Sequence, residues 1–452
     1  MEVKKQSPQP IILCYHSISK GEAVKELYYS FTPTSDYPAG KNLQSYSFDK
    51  SIDDFGTSFS FSVKENPNSK SLFMDQVRLL DVIVISESGS QQKIDFIGVV
   101  TTVSAGGTAS NLNKVVNVSG KSIEWLFKFY NINADIKCVI FNNAAANNTF
   151  KTDLAKKHGT EGITIKDIVK ESYNMFEKET SKTKALSNFL IGEIIFLWYG
   201  YNWVEASDEK FFYPISSNLF DSGKINVIDY IKKLLPAPIY EIFGDIDNIG
   251  KPVIRARKAP FDNPVSNIKI DPDLLSDFTL TKSCDEVYTA FMPYIEGSSQ
   301  SPDFYMNLAT AEGVKERGYD CALRSDKKSE IYGYQLLTCS FMGYTADSDN
   351  SKETIDKKKL QQLAEQLRKW FENLDEMYTG DFTIVNITSE KHAKIGEWLG
   401  FADGLFYVVS EKHTWNYGDN PMINYQVIRG GDYVGGNFKE IKNISSVYKE
   451  FE

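Results

Sequence analysis

Histidine and cysteine are both scarce in this chain, and neither is clustered. Among the 452 residues there are only four histidines and five cysteines. The histidines are His16, His158, His392 and His413, and none lies within a few residues of another. The cysteines occur singly, at Cys14, Cys138, Cys284, Cys321 and Cys339. Metal sites and disulfide frameworks usually have closer spacing, so the sequence predicts no metal site and reduced thiols in a reducing compartment.

The sequence motifs of common enzyme classes are missing too. There is no Gly-x-Ser-x-Gly nucleophile motif, no Gly-x-x-x-x-Gly-Lys-Ser/Thr phosphate loop and no Gly-x-Gly-x-x-Gly after a predicted strand. The run 12–17 resembles the first strand of polysaccharide deacetylases, but the acidic pair Asp53-Asp54 lacks that family's sequence context and no histidine pair completes the metal site. Acidic neighbours such as Asp285-Glu286 occur by chance in an acidic chain. The sequence therefore predicts a protein that is not an enzyme, with no catalytic, cofactor-binding or metal-binding residues.

Positive charge is in deficit, and long hydrophobic runs are absent. The formal net charge is −10 without a basic patch, which disfavours sequence-specific contacts with nucleic acid. The most hydrophobic stretch, 189–199, is about half of the roughly 20 residues that a membrane helix needs, and it contains Glu193. We therefore expect no membrane insertion. Arg255 and Arg257 would share one strand face, usually as a salt-bridged pair, and the alternative is an anchoring patch for an acidic subunit.

What the chain does have is aromatic residues and a pattern that occurs twice. With 25 Tyr and 29 Phe it is rich in side chains that suit strands and subunit contacts. Two stretches, 96–120 and 406–430, each begin with an apolar strand that starts at Phe and end with a second strand closed by Gly, over the same interval. Each is typical of a β-hairpin. The similarity predicts one β unit used twice.

The remaining pattern divides the chain into segments. Residues 1–25 are predicted to form an N-terminal arm, 26–128 a β-rich unit, 129–265 a mixed α/β segment, 266–432 a second β-rich unit and 433–452 a C-terminal tail. Within the second unit a long helix is predicted over 356–378. It is predicted from an apolar stripe formed by Leu360, Leu363, Leu367, Trp370, Leu374 and Tyr378.

The order of several short motifs resembles one protein family. A strand ends in Val-Asn-Val-Ser-Gly-Lys-Ser at 116–122, Tyr-Glu-Ile-Phe-Gly-Asp follows at 240–245, and Arg-Ala-Arg-Lys-Ala-Pro-Phe lies at 255–261. The long helix comes next, and the closing hairpin contains His413 and Arg429-Gly430. From about residue 31 to residue 430 this resembles the central baseplate hub proteins of contractile phage tails and related injection machines, including the late control protein D and spike-hub proteins.

The resemblance implies a fold and a structural function. The fold class would be α+β, mainly β, with two tube-like antiparallel β-barrel domains at 26–128 and 266–432 and an inserted mixed segment. A homotrimer would present a pseudo-sixfold ring to the tail tube or tube-initiator protein above and a threefold face to the spike or cell-puncturing protein below. Its lumen would pass DNA or the tape-measure protein. The protein would lie in the virion tail baseplate, assembled in the bacterial host cytoplasm.

Two other readings stay open at this point. One is a tail-tip or tail-associated protein of a non-contractile phage, or a hub of the type VI kind. The other is an enzyme, a tail-associated cell-wall hydrolase, which would need catalytic carboxylates or a metal. The sequence alone does not separate contractile from non-contractile tails.

Overall fold

The structure is a computed structural model, and it describes part of the chain. The described residues are 10–15, 43–52, 54–64, 77–88, 93–106, 115–129, 131–132, 163–164, 204–206, 210–211, 225–226, 228–229, 232, 235, 237–266, 268–296, 323–342, 350–386 and 392–441.

Strands dominate the described residues. In chain order they are β1 (Ile11–Tyr15), β2 (Leu43–Ser51), β3 (Ser58–Lys64), β4 (Val82–Ser86), β5 (Phe96–Gly106), β6 (Val115–Ser122), β7 (Asn131–Ile132), β8 (Ile163–Thr164), β9 (Val204–Ala206), β10 (Lys210–Phe211), β11 (Ile225–Asn226), β12 (Tyr240–Ile246), β13 (Pro252–Lys258), β14 (Leu275–Thr281), β15 (Ala290–Glu296), β16 (Leu323–Arg324), β17 (Leu336–Met342), β18 (Tyr378–Val385), β19 (Trp398–Phe401), β20 (Gly404–Asn416), β21 (Met422–Val434) and β22 (Asn437–Lys439).

The helices whose bounds the structure describes are α1 (Trp125–Phe129), α2 (Asp326–Tyr332) and α3 (Asn350–Phe371), with 3-10 turns at Pro272–Leu274 and Leu374–Glu376. The predicted α+β, mainly β class is confirmed.

One 12-stranded sheet contains most of these strands, and its strand order repeats. Along the sheet the order is β1-β4-β5-β6-β3-β2-β20-β21-β18-β14, with β19 beside β20 and β22 beside β21. Unit 1, which we define as β2 to β6, has the order β4-β5-β6-β3-β2. Unit 2, defined as β14 and β18 to β21, has the order β19-β20-β21-β18-β14. The predicted repeat is therefore real, and the two units are joined edge to edge in a single sheet.

The irregularities of the two units also match. The pairing of β2 with β3 shifts between Leu43 and Ser45, and that of β14 with β18 shifts between Leu275 and Asp277. The pairing of β5 with β6 shifts after Val100, and that of β20 with β21 shifts after Val408. Such β-bulges are built into a strand at fixed places, so their coincidence in both units supports the correspondence strand by strand.

The register that the sequence predicted for the repeat is wrong. Matching the bulges makes Gly120 the counterpart of Val427, because these residues lie opposite Val100 and Val408. Gly430 belongs instead to a bulge of unit 2, next to Arg429, whose φ of 58° lies in the left-handed region. The shared Phe and Gly spacing was therefore a coincidence within two hairpins that do correspond.

Each unit curls around its own apolar core. In unit 1 every strand contributes buried side chains to one cluster, among them Phe48, Phe59 and Phe61. In unit 2 the corresponding cluster includes Phe382, Phe406 and Tyr425. The strands follow the period-2 pattern that places alternate residues inside, as β3 shows with Phe59, Phe61 and Val63 buried.

The long helix ends earlier than predicted. It was expected over 356–378, but α3 covers Asn350–Phe371, and Tyr378 is the first residue of β18. Leu367 and Trp370 are buried as the stripe predicts, whereas Leu374 lies in a 3-10 turn that begins at an Asn373 cap. The helical spacing of apolar residues continues past the end of α3 by chance. Tyr378 is instead part of β18, which pairs with β14 and β21, and these pairings outweigh the local helical pattern.

The other segment boundaries remain predictions. Strand β1, which falls in the predicted arm, pairs with β4, and the described parts of 129–265 contain β7 to β13. The stretch 189–199, His16, His158, Asp53, Cys138 and Cys321 lie outside the described residues.

Candidate functional site at the joint between the units

Strands β2 and β20 connect the two units, and we call their contact the joint. They pair antiparallel from Ser45 opposite Asn416 to Ser51 opposite Ser410, and the Ile52 N–H donates to the Val409 carbonyl at 3.0 Å. The same edge of β20 begins with β19, which pairs with residues 404–407. The long strand of unit 2 thus has one edge shared between its own unit and unit 1.

Aromatic side chains stack across the joint. Phe48 lies opposite His413, with ring centroids 4.4 Å apart and an interplanar angle of 13°. Tyr46 lies opposite Trp415, with centroids 5.8 Å apart. Directly opposite aromatic pairs stabilise antiparallel strands through contact area and ring stacking. These pairs favour this register over one shifted by a single residue, which would move every side chain to the other face.

A buried set of charged and polar groups lies on the same face, and we call it the joint network. The Glu87 carboxylate contacts His413 Nδ1 at 2.9 Å, and it accepts hydrogen bonds from Tyr46 Oη at 2.9 Å and Asn386 Nδ2 at 2.6 Å. Lys50 Nζ lies 2.9 Å from Glu411 Oε1, which is 3.8 Å from His413 Nε2. Glu87 follows β4 and Asn386 follows β18, so the network draws on both units.

The network charges are balanced and hold one another in their ionised forms. Burial on its own would lower the pKa of His413, but the Glu87 and Glu411 carboxylates outweigh burial and raise it to about 9. Burial would raise the pKa of Glu411, but Lys50 and His413 lower it to about 2. The pKa of Glu87 is also lowered, because the charge and hydrogen bond of His413 exceed the effect of burial.

The chemistry available to this set is structural. His413 is only 7% exposed, and one of its ring nitrogens is engaged by Glu87. Within the network, two carboxylates face one imidazolium and one ammonium. A buried ion pair of this kind adds little net stability over apolar packing, but removing one partner is strongly destabilising. A shift of β2 relative to β20 that separated these partners would therefore be strongly destabilising.

The β12–β13 hairpin packs against both units. Its Ile242, Ile246 and Ile254 belong to an apolar cluster with β1, β4, β5 and α1 of the first half. On its other side the Tyr407 hydroxyl of β20 donates to Glu241 Oε2 at 2.5 Å. This hairpin contains two of the three motifs on which the family resemblance depends, and the structure places it across the joint.

The basic pair of the hairpin is salt-bridged, as the more frequent interpretation predicted. Arg255 Nε lies 2.7 Å from Asp245 Oδ2, and Arg257 Nε lies 2.6 Å from Glu241 Oε1. Arg257 also donates to the Gly396 carbonyl of unit 2. Arg257 therefore ties the hairpin to unit 2, whereas Arg255 is paired within the hairpin.

Among the described residues, the histidines, cysteines and acidic pairs of the sequence analysis are not brought together into a reactive cluster. His413 is a buried strand residue of β20, as expected, and Asp54 forms an exposed salt bridge with Lys128 at 2.8 Å. Within the described residues no group of three or more His, Cys, Asp or Glu side chains is arranged to hold a metal ion. Of the helices that the structure describes, none is long and apolar enough to cross a membrane.

Sequence reasoning missed the joint network and a clear internal signal. Glu87, Asn386 and His413 are far apart in the chain and carry no motif. The signal is the pair of stretches Tyr46-Ser-Phe-Asp-Lys-Ser-Ile-Asp-Asp54 and Phe278-Thr-Leu-Thr-Lys-Ser-Cys-Asp-Glu286, which share the pattern aromatic, hydroxyl, apolar, polar, Lys-Ser and an acidic pair. The structure places them at the same bulged strand in the two units, β2 and β14.

The chain matches no protein-family model and no curated protein. Among solved structures it is similar to a tail protein from Neisseria meningitidis MC58, with 10% identity, 93% of this chain and 96% of that chain covered, and a TM-score of 0.49. It is also similar to the 43 kDa tail protein of prophage MuSo2 from Shewanella oneidensis, with 11% identity, coverage of 93% and 98%, and a TM-score of 0.47.

A third likeness is to the E. coli c3393 protein, a type VI secretion component described as similar to the T4 bacteriophage tail proteins gp27 and gp5. Its identity is 8%, its coverage 89% of this chain and 77% of that chain, and its TM-score 0.42. At these values the likeness alone decides no function. Two of these three structures are described as tail proteins and the third as a type VI secretion component.

Proposed function

We propose that this protein is a structural, non-enzymatic hub of a phage-type tail, in which three copies form a ring between a sixfold tail tube and a threefold spike. The observation that carries the proposal is the duplicated unit: one chain contains two units of the same strand order, joined edge to edge in one sheet. Three such chains would supply six similar units on a ring.

The differences between the units support the threefold side of the proposal. In unit 2 the chain between β14 and β18 includes β15 to β17, α2 and α3. In unit 1 the corresponding connection, from β2 to β3, is residues 52–57. These additions and the β12–β13 hairpin would occur three times in the ring, and the paired units six times. A closed ring with such a mixture of repeats can match partners of both symmetries.

The electrostatic character fits a passage for DNA. A net charge of −10 repels phosphates over about a Debye length, roughly 8 Å at physiological ionic strength, and so disfavours tight binding of a moving nucleic acid. In this proposal the partners are the tube or tube-initiator protein above, the spike below and the tape-measure protein in the lumen. The protein would lie in the virion baseplate.

Electron-microscope class averages of the purified chain over a wide concentration range, with mass measurement, test the proposal. We expect threefold particles with a central channel and six peripheral lobes. Compact monomers at every concentration, also after mixing with a tube protein, would overturn it. Assays of the protein on cell-wall polymers would then be the next step. Binding to the tube protein of a tail without a sheath would support the hub function and assign the hub to a non-contractile tail.

A further inference from the structure

We propose that β14 of one copy pairs antiparallel with the outer part of β5 of the next copy, in the geometry that β2 and β20 have within one chain. The inference rests on the proposed ring and names the surface that closes it. The occupant of both free edges is thus a second copy of this chain.

The available edges are the first argument. In unit 2, β19 covers the start of the β20 edge and β2 covers the rest. In unit 1, β4 covers the start of the corresponding β5 edge, from Phe96 to Val99. Among the described residues no strand pairs with that edge over Thr102–Gly106, where the side chains are mostly exposed and a Cβ on Gly106 would meet nothing within 4 Å. An unpaired edge of this kind is a template for another strand.

The second argument is the strand that would fill this edge. β14 is the counterpart of β2, and β18 is its only strand partner in the described part of the chain. Its sequence follows that of β2 position by position, including the lysine at 282 that corresponds to Lys50. In β2, residues 45–51 pair with β20 of the same chain. β14 has the matching pattern, and no second strand pairs with it in the part of its chain that the structure describes.

The internal joint fixes the register of the proposed one. Transferring the β2–β20 pairs to the corresponding residues places Thr279 opposite Gly106, Leu280 opposite Ala105, Thr281 opposite Ser104, Lys282 opposite Val103 and Ser283 opposite Thr102. The strand directions agree, because β2 runs antiparallel to β20 and the corresponding strands have the same directions in their units. The contact is head-to-tail, so repeated copies form a ring where the rotation closes.

The chemistry of the two joints differs in a way that suits assembly. Val103 and Ala105 stand where β20 has Glu411 and His413, so the proposed joint has no counterpart of that carboxylate or of that imidazole. Small and apolar residues on β5 would face Leu280 of β14, which is half-buried in the core of unit 2. The joint between copies is therefore expected to form and dissociate, whereas the internal joint is part of the fold.

Disulfide cross-linking between two variants, each with one introduced cysteine, tests the register. Both carry Cys284→Ser, since Cys284 is an exposed free thiol. One also has Thr281→Cys and the other Ser104→Cys; both positions are exposed. Mixed and mildly oxidised, they should give a reducible dimer containing one of each. The matched control replaces Thr281→Cys by Thr279→Cys, two residues out of register on the same strand face, and should cross-link at least tenfold more slowly.

The double variant Thr281→Cys with Ser104→Cys should give a covalent trimer as its largest product. Equal rates for the control would overturn the proposed register. Threefold rings in the microscope without cross-linking would overturn the joint and leave the hub proposal standing. Cross-linked chains that never close into trimers would support the joint and overturn the hub. Monomers without cross-linking at any concentration would overturn both.

Discussion

In unit 2 the edge of β20 is covered along its length, whereas in unit 1 the described strands cover the corresponding edge of β5 only at its start. The two units share their strand order and two of their bulges, so the strand order of the units does not account for the difference. It arises from the position of each unit in the chain. Unit 1 supplies the strand β2 that fills the edge of unit 2, and nothing described in the chain fills the edge of unit 1.

The side chains follow this difference. At the filled edge there are stacked rings and buried charges, and at the open edge there are Thr, Ser, Ala and Gly. Strand order can therefore be kept while one edge becomes a permanent contact and the other a site for assembly. Changes at corresponding positions should have unequal effects, and the following experiments measure this inequality.

The largest difference in stability should come from Phe48 and its counterpart Leu280. Phe48 is fully buried against His413 and Phe96, so Phe48→Ala should lower the free energy of unfolding by about 4 kcal/mol. Leu280 is only partly buried, and Leu280→Ala should cost about 1–2 kcal/mol in the single chain. Urea unfolding of both variants measures this. Equal losses would show that the two edges are equally buried.

Removal of the Glu87 charge should have the next largest effect. Glu87→Gln keeps the shape but leaves His413 without its nearest counter-ion, and we expect a loss of about 3 kcal/mol in the free energy of unfolding. Glu440→Gln is the matched control, since Glu440 pairs with Lys282 at the surface of unit 2, where loss of a salt bridge has little effect. A change below about 0.5 kcal/mol for Glu87→Gln would contradict the role of the network.

The pH dependence of stability should show the same network. The pKa of His413 is raised in the fold to about 9 from 6.5, so its contribution is fully present below pH 6.5 and is lost as the pH rises through 9. The pKa of Glu411 is lowered to about 2 from 4.5, so its contribution is present above pH 4.5 and is lost as the pH falls through 2. Both contributions are fully present between pH 4.5 and pH 6.5, so the free energy of unfolding should be greatest in that range.

The alkaline loss of stability should be at most about 3.5 kcal/mol, from a rise of about 2.5 pKa units at roughly 1.4 kcal/mol for each unit. Unfolding in urea from pH 6 to pH 9.5 measures it, and His413→Gln should flatten this part of the curve. An unchanged slope in that variant would assign the dependence to another group.

The smallest difference in the free energy of unfolding is expected between lysine variants of the two arginines of the β12–β13 hairpin. Arg257→Lys loses the second donor to Gly396 and should lower the free energy of unfolding by about 1–2 kcal/mol. Arg255→Lys can keep a contact with Asp245, so its effect should be smaller than that of Arg257→Lys. Thermal unfolding of the two variants compares them directly. The reverse order would mean that the hairpin does not depend on its contact with unit 2.

Local sequence patterns predicted the parts of this fold that local interactions decide. The alternation of Phe59, Phe61 and Val63 predicted a strand, and both hairpins were found because their apolar strands flank polar connections. The residue register of the repeat was missed, since an additional residue at the Arg429 bulge shifts one copy relative to the other. Bulges change spacing without leaving a motif, so equal intervals between conspicuous residues can mislead.

The candidate site depended on contacts that no local pattern contains. Glu87 and His413 meet because two units of separate sequence lie side by side, and the sequence predicted only a strand position for His413. The likeness of 46–54 to 278–286 was the one accessible signal. This likeness is hard to recognise because the apolar residue differs between the two stretches. The fully buried position has Phe48, and the partly buried one has Leu280.

The order in which the chain is synthesised gives the joint a further consequence. Strand β2 leaves the ribosome long before β20, and it pairs with β3 on one edge while its other edge waits for a partner from the distant end of the sequence. Contacts of such large sequence separation form late and slowly. During that interval the exposed edge of β2 can pair with β20 of another nascent chain, giving swapped dimers in place of the intact fold. Slowing translation between the two units, or supplying a chaperone that binds free strand edges, should therefore change the yield of correctly joined chains more than their stability.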